Sequence, residues 1–456
     1  MDLTSAVFIF AFLPLSVLIH AAVRNVKARN IILAVFSLVY WAWCGVFALP
    51  VLLLITAADH FGAKSLERAT GGSKKLLFIA LIILNFAPLA ACFVFKKTVA
   101  SPYAPKLFCF GFLALKMTGY LIDVYSGKCE RIKNFGRLLL YSSFFALTQR
   151  GPIVSYSALH DRLNERRVPI ESICKGICDF VAGLAMKVIV SDTLAASCDK
   201  LYALEGADLN ILTAWIAAVL FFLQLFFDLF GYSKMAVGIG RMFGFDLSVD
   251  FSSPVFAESF SGFVKKWYVT VAAWFADFVF APVSKCIIGS FGAALGVAAA
   301  CAAAALWLKP SIPVLMCFAL IACFIIIEIA LKKLGVRIPR GIGIILAIIG
   351  AVIAFAPLRM DGSGAALRLY KAMFAGFAVT RVSVSRLSLI MKPNAIFAAV
   401  IAVILASPLG ERLGRMLSKE STAVRIVRYL LTVLLFAACI MVLLSTDAHP
   451  GFFETI

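Results

Sequence analysis

The sequence is short of charge. Charged residues make up 15% of the chain and hydrophobic residues 62%, with a mean hydropathy of +0.99. Soluble globular domains contain about 25% charged and about 45–50% apolar residues. The composition therefore excludes a soluble globular protein and predicts an all-α polytopic membrane protein.

The sequence also lacks long polar stretches, low-complexity linkers and internal repeats, so we expect one transmembrane domain over residues 1–456. A secretory signal peptide would need a basic segment before its apolar stretch and a cleavage site after it. Here the first charge is acidic (Asp2), and the apolar segment Val7–Val23 is predicted to be a retained first helix.

Long apolar runs recur along the chain. A bilayer core of about 30 Å requires about 20 such residues per helix. The clearest runs are Ile31–Thr56, Leu76–Phe95, Ala214–Phe230, Gly292–Leu308, Val314–Leu331, Ile342–Ala356, Ile396–Leu405 and Tyr429–Leu444. With weaker segments added, we predict roughly 11–13 membrane helices.

Three segments do not resemble simple spans: 128–167, 226–251 and 260–283. The first has Gln149 and Arg150 before a Gly-Pro pair, which ends helices. The second places charges among glycines, and the third alternates aromatic and lysine residues as interfacial helices do. Irregular backbone at membrane depth persists only where it is buried or lines a cavity. We therefore expect re-entrant and interfacial helices around a central chamber.

The net charge of +19 comes from basic clusters between the apolar runs. Such loops mark the cytoplasmic side and contact anionic lipid, so membrane lipids are expected partners and nucleic acid is not. The twelve cysteines are scattered, mostly inside apolar runs, where cysteine behaves as a small hydrophobe. Cys174 and Cys178 are four residues apart, and we interpret them as core packing rather than as a metal site.

Several segments resemble signatures of one family. They are Tyr120–Gly127 (YLIDVYSG), Gly151–Ser157 (GPIVSYS), Lys187–Thr193 (KVIVSDT), Phe226–Gly240 (FFDLFGYSKMAVGIG), Phe263–Tyr268 (FVKKWY), Phe355–Arg359 (FAPLR) and Ala366–Phe374. Together they are similar to the bacterial branch of the membrane-bound O-acyltransferase (MBOAT) family, from the N-terminal Phe12-Leu-Pro14 to beyond residue 370. That branch acetylates exported polysaccharides such as alginate, or D-alanylates teichoic acids.

The chain departs from the family pattern at its histidines. The resemblance places Tyr268 and Leu308 where the family has one histidine after Arg-Trp and a second, catalytic one after Leu-Trp. The chain contains four histidines, at positions 20, 60, 160 and 449. Histidine suits acyl transfer because its pKa lies near working pH, and a general base contributes about 10²–10⁴-fold to the rate. Leucine supplies no base, and a tyrosine with a pKa of about 10 is a poor one. The resemblance therefore implies a family member without its usual catalytic group.

Further candidates for lining the chamber are Gln149, Arg150, Asp228, Tyr232, Lys234, Lys266, Trp267, Tyr268 and Trp307. Each has a functional and a structural interpretation. Asp228 is a functional intramembrane acid, or it pairs with Lys234 or Arg241. Gln149 and Arg150 line a path, or they satisfy free carbonyl groups at a bend. Lys266 and Trp267 face a phosphate-bearing donor, or they anchor an interface, and Trp307 packs.

Three functions remain open at this point. The first is a non-catalytic MBOAT protein that serves O-acylation of an exported polysaccharide. The second is an active acyltransferase with a rebuilt site, and the third is a transporter or flippase of an acyl or lipid-linked substrate. The resemblance implies an acyl donor, acetyl-CoA or an acyl carrier protein, and no bound cofactor. It also implies the bacterial plasma membrane as location, with a periplasmic acyltransferase and a glycan synthase as partners.

Overall fold

The computed structural model describes residues 2–45, 47–95, 107–148, 150–166, 168–287 and 289–445. Within these ranges the regular secondary structure is helical throughout, with no strand. The predicted all-α class is confirmed.

In the described ranges, twenty-one α-helices follow one another. They are α1 (Leu13–Ala22), α2 (Val26–Trp43), α3 (Ala48–Arg68), α4 (Gly71–Phe95), α5 (Leu107–Tyr125), α6 (Phe135–Ser143), α7 (Tyr156–Asn164), α8 (Ile170–Ala185), α9 (Asp192–Tyr202), α10 (Ile211–Met242), α11 (Phe260–Lys266), α12 (Val269–Phe275), α13 (Ala281–Cys286), α14 (Ser290–Leu308), α15 (Ile312–Lys333), α16 (Arg340–Phe355), α17 (Ser363–Ala375), α18 (Arg381–Ile390), α19 (Pro393–Ala406), α20 (Pro408–Leu417) and α21 (Thr422–Ser445). Short π-helical segments are Phe8–Phe12, Met186–Ser191 and Ala276–Phe280.

In the described ranges, nine helices are long and apolar enough to cross a membrane, or ten if the bent pair α18–α19 forms one span. The two halves of that pair meet at 78°. The shorter apolar helix Phe8–Ala22 adds to these. Against the 11–13 helices predicted, this count is lower, but a polytopic membrane protein is confirmed.

The chain forms two compact units. The first comprises Met1–Phe180 and Tyr232–Val249, and the second comprises Val181–Gly231 and Asp250–Ile456. The single-domain organisation predicted for residues 1–456 stays a prediction, as does the central chamber.

Aromatic rings form part of the core of the first unit. Phe145 contacts Phe8, Phe12 and Tyr40, with ring centroids 5.3–6.3 Å apart. Nearby, the Trp41 indole N–H donates to the Ser143 carbonyl at 2.9 Å. These contacts join α2 to the short helices that follow α5.

One predicted run, Ile31–Thr56, is two helices rather than one. α2 ends at Trp43, and α3 begins at Ala48. Between them Gly45 has a φ of 148°, a conformation that side chains rarely adopt. A single glycine inside an apolar run was too weak a signal to predict this break.

The segment 226–251 was predicted to be irregular, and most of it is not. α10 continues without interruption to Met242. Its glycines permit close packing instead of ending the helix: a Cβ at Gly238 would lie 2.5 Å from the Phe180 amide nitrogen, and one at Gly231 would lie 2.8 Å from the Gly183 carbonyl oxygen. Small residues of this kind let membrane helices approach closely.

The other two irregular segments are confirmed as broken. Residues 128–167 form the short helices α6 and α7, with Arg150 at a positive φ of 55° between them. Residues 260–283 break after α11, and Val269–Cys286 is by itself long and apolar enough to cross a membrane. The interfacial placement predicted for this segment stays a prediction.

Candidate functional site

A buried ionic cluster lies in the second unit. The Lys187 ammonium is 3.1 Å from an Asp228 carboxylate oxygen and also donates to Asp192. The Lys187 and Asp228 side chains are 3% and 1% exposed, and that of Asp192 is 11% exposed. Burying a charge costs free energy unless it is paired. The partner of Asp228 is thus Lys187, whereas Lys234 or Arg241 was predicted.

A π-helical segment aligns this cluster. Residues five apart do not share a face of an α-helix, whereas π-helices close i→i+5 hydrogen bonds. The segment Met186–Ser191 makes such a bond, in which the Asp192 amide donates to the Lys187 carbonyl. The change of register brings the side chains of Lys187 and Asp192 together, in position for Asp228 of α10.

A second polar network lies in the same unit. The Gln224 side-chain oxygen of α10 accepts from Arg359 at 2.7 Å, and Arg359 also pairs with Asp199 of α9. The Ser191 hydroxyl donates to the Gln224 carbonyl at 3.0 Å. Sequence reasoning named neither Lys187 nor Arg359 as a site residue. The available signal was that both belong to segments that carry the family resemblance.

Trp267 is the centre of an aromatic cluster, here named the Trp267 cluster. Its ring centroid lies 5.0–5.7 Å from five phenylalanine rings: Phe222, Phe226, Phe251, Phe263 and Phe355. Aromatic pairs at such distances stabilise a protein beyond the area they bury. The cluster fixes the end of α11 against α10 and α16. Lys266, beside Trp267, is half-buried.

Tyr268 lies next to this cluster in a strained conformation. It is 6% exposed, its ring stacks on Phe251 at 5.6 Å, and its φ is 52°. The left-handed region is uncommon for bulky residues, and such outliers concentrate at functional sites. Neighbouring hydrogen bonds hold the turn: the Val269 amide donates to the Asp250 carbonyl at 2.6 Å, and the Thr270 amide to its carboxylate at 3.0 Å.

Asp250 itself is fully buried. Burial raises the pKa of its carboxyl to about 6, and the hydrogen bonds from the Thr270 hydroxyl and amide oppose the rise. Its neutral form is therefore favoured relative to an exposed aspartate.

Trp307 and Leu308 end α14, and both are buried. The Trp307 ring lies 6.0 Å from that of Phe275 at the end of α12. Tyr268 precedes the start of the same helix, seven residues away, which corresponds to about 10 Å of helix. The structure thus places Tyr268 and Trp307, the residue before Leu308, at opposite ends of α12.

The remaining candidates lie in the first unit. The Arg150 guanidinium stacks on the Tyr232 ring, 4.0 Å from its centroid, and the Tyr232 hydroxyl donates to Asp2 at 2.8 Å. Lys234, two residues further along α10, is half-buried. Gln149 lies outside the described residues.

Two acids of the second unit differ in their contacts. The Lys187 ammonium contacts the Asp228 carboxylate. Asp250 lies at the turn that holds Tyr268, and burial raises its pKa to about 6, a range that suits a general base. None of the unit's described residues is a histidine, because the one histidine of its sequence, His449, lies outside them.

A helical chain with this many apolar spans, a buried ionic cluster and a strained aromatic turn is a polytopic membrane protein with a built internal site. A family model described as MBOAT, membrane-bound O-acyltransferase family, matches residues 130–335, so this part of the chain is similar to that family. The matched range includes Lys187, Asp228, Tyr268 and Leu308.

Relatives of known class agree with this assignment. A probable alginate O-acetylase of Pseudomonas fluorescens is 27% identical over 61% of this chain and 56% of the relative. A peptidoglycan O-acetyltransferase of Helicobacter pylori is 25% identical over 60% of each chain. A teichoic acid D-alanyltransferase of Streptococcus thermophilus is 23% identical over 37% of this chain and 42% of the relative. The chain spans less than two thirds of the length of each relative.

Proposed function

We propose that this protein serves O-acylation of an exported cell-envelope polysaccharide in the bacterial plasma membrane, without catalysing acyl transfer itself. The proposal is supported by the ionic contact between Lys187 and Asp228, which come from two segments that resemble the family. The resemblance aligns Tyr268 and Leu308, neither of which is a histidine, with the family histidines.

The acyl donor, acetyl-CoA or an acyl carrier protein, and the partners, a periplasmic acyltransferase and a glycan synthase, belong to the same proposal. Two of the relatives above are named for O-acetylation of alginate or peptidoglycan, which supports an envelope polymer as acceptor. In this role the protein binds a partner or shapes a path for the acyl group, while an active relative performs the transfer.

Turnover tests the absence of catalysis. The full chain in nanodiscs is supplied with acetyl-CoA and an alginate oligosaccharide, and release of CoA is followed. We expect no turnover above empty nanodiscs, because Leu308 supplies no base. The variant Tyr268→His/Leu308→His is expected to gain activity, since a positioned base contributes about 10²–10⁴-fold. Tyr268→Phe/Leu308→Met is the matched control and stays silent. Turnover by the native chain contradicts the proposal.

Deletion of the gene tests the role in O-acylation. We expect the ester-linked acetyl content of the envelope polysaccharide, measured by NMR before and after mild base, to fall. Complementation with the native gene restores it. An unchanged acetyl content argues against any part in O-acylation, and it would favour the transport hypothesis if export of a lipid-linked intermediate falls instead.

One observation favours an active enzyme with a rebuilt site as the second candidate. Tyr268 is buried at a positive φ, and strain of this kind is often retained for function. If the native chain turns over acetyl-CoA, Tyr268→Phe separates the candidates. A rebuilt site that uses the hydroxyl loses activity in this variant, whereas a site built on Asp228 loses it in Asp228→Asn.

A further inference from the structure

A cavity of about 440 Å³ lies in the first unit, and none of the residues predicted for acyl transfer lines it. Its wall is formed by the loop between α5 and α6 and by the start of α7. Volumes of about 300–1,000 Å³ are typical of small-molecule sites. The cavity is therefore large enough for a small charged ligand with part of an organic chain.

Basic side chains dominate the lining of this cavity. The cations Arg131, Lys133 and Arg137 line it together with His160, against one carboxylate, Glu130. Lys133 lies 3.8 Å from Glu130, and both side chains are exposed, so this pair is weak. Because exposed side chains reorient freely, Lys133 remains available to a stronger anion.

The two arginines differ in their partners. Arg131 donates to Glu67 at 2.6 Å, which holds its guanidinium in place. Arg137 makes no salt bridge within the described residues, and its side chain is half-buried close to Tyr156. Guanidinium groups recognise phosphate and carboxylate with two parallel hydrogen bonds. Arg137 is thus a half-buried donor at the cavity without a carboxylate partner among the described residues.

Two helices begin at the same cavity. α6 starts after Asn134, whose side chain caps it by accepting from the Arg137 amide, and α7 starts at Tyr156. The lining includes Asn134, which caps α6, and Tyr156 and Ser157, the first two residues of α7. The amides at helix starts and the positive ends of their dipoles favour anions. Both helices add to the charge of the lysine and arginines.

We propose that this cavity is a binding site for a phosphate-bearing anion. Several cations and two helix starts around one volume suit a group with more than one negative charge and several acceptor oxygens. The phosphate belongs either to the headgroup of an anionic lipid or to a soluble phosphorylated molecule. The site is independent of the proposed role in O-acylation.

The experiment measures binding of two probes to the purified full chain. Inorganic pyrophosphate is titrated by calorimetry in detergent, and phosphatidylglycerol is compared with phosphatidylcholine by native mass spectrometry. We expect one probe to bind and Lys133→Gln/Arg137→Gln to weaken its binding at least about tenfold, the ratio expected from losing one charge-assisted hydrogen bond. Binding of pyrophosphate assigns a soluble ligand, and retention of phosphatidylglycerol alone assigns a lipid.

Lys75→Gln/Arg162→Gln is the matched control, because both residues are exposed and neither lines the cavity. It removes the same charge and is expected to change binding less than about twofold. Ser157→Glu is a second test: an acid in the first turn favours α7, while it repels an anion. Equal losses in the two double variants, unchanged binding in Ser157→Glu, or no binding of either probe to the native chain overturns the proposal.

Discussion

Each unit buries a carboxylate on a long apolar helix, but the two carboxylates have different surroundings. Asp228 of the second unit is in contact with Lys187. Asp59 of the first unit, on α3, is fully buried beside Asn85. Within the described part of the chain, Asp59 accepts no hydrogen bond of normal geometry and has no cation within 4 Å. The two sites thus differ in how the burial of an acid is compensated.

The difference coincides with the range that the family model matches. Lys187, Asp192 and Asp228 lie within residues 130–335, whereas Asp59 lies before them. A buried pair needs partners from distant parts of the chain in fixed geometry, and its loss on one side is costly. We infer that the paired cluster fixes the position of α10 in the second unit, whereas Asp59 contributes little to the stability of the first.

The largest effect is expected from Lys187→Met. The substitution preserves the length and apolar stem of the side chain but removes the ammonium that contacts the Asp192 and Asp228 carboxylates. We expect the free energy of unfolding in mixed micelles to fall by about 3–5 kcal/mol. Lys200→Met, which changes an exposed lysine on α9, is the control and is expected to stay within about 0.5 kcal/mol of the native chain. A loss as small as that of the control would mean that the cluster contributes no stability.

Asp228→Asn is expected to have an intermediate effect. It preserves shape and removes one charge, while Asp192 continues to pair with Lys187. The expected loss is about 2 kcal/mol, typical of a hydrogen bond to a charged group. The double variant Lys187→Met/Asp228→Leu should lose less than Lys187→Met alone, because it also removes the buried carboxylate that the Lys187 ammonium contacts. Additive losses would contradict direct coupling of the two residues.

Asp250 is an intermediate case, since amide and hydroxyl groups rather than a cation contact its carboxylate. Its pKa is raised by burial to about 6, above the usual aspartate value of 3.8. The folded state then prefers the neutral acid, so stability falls as pH rises from about 4 to about 6 and is constant above. Asp250→Asn should remove this slope in thermal unfolding measured across that range. A slope that persists in the variant assigns the pH dependence to another group.

The smallest effect is expected from Asp59→Asn. No salt bridge within the described residues is lost, and the shape of the side chain is preserved. We expect a change below about 1 kcal/mol, or a gain in stability, in the same micelle assay. Asp59→Leu measures separately how the shape of this side chain affects the free energy of unfolding. If Asp59→Asn costs as much as Asp228→Asn, the contrast between the two units is wrong.

The sequence was sufficient for features that depend on neighbouring residues. Apolar runs such as Val314–Leu331 predicted α15 correctly, because length and hydropathy act locally. The sequence also predicted the interruption of helical structure around Gly151-Pro152. Gly45 and Gly238 behaved in opposite ways, the first at a helix break and the second at a close helix contact. Whether a glycine lies at a helix break or at a close helix contact depends on the residues around it in space, which the sequence does not give.

The sequence predicted several residues of the candidate site but not the contacts between them. Asp228, Trp267 and Tyr268 were named from the sequence, but the pairing of Asp228 with Lys187 joins segments far apart in the chain. Lys187 and Asp192 are also five residues apart, and residues at this spacing lie on different faces of an α-helix. The positive φ of Tyr268 had no local signal, since it follows from the hydrogen bonds around Asp250.

The π-helical segment Met186–Ser191 has a consequence for how insertions and deletions act on this protein. A π-turn is equivalent to an α-helix with one residue inserted, and an α-helix rotates by about 100° per residue. Deleting Val188 would return the segment to α-helical register and leave Lys187 and Asp192 four residues apart, a spacing that still shares one face of an α-helix. Inserting one residue instead would place them six apart and on different faces. The ionic cluster is therefore expected to survive loss of one codon here and not the gain of one, and alignments of related chains should treat a one-residue gap at this position as compatible with the same site.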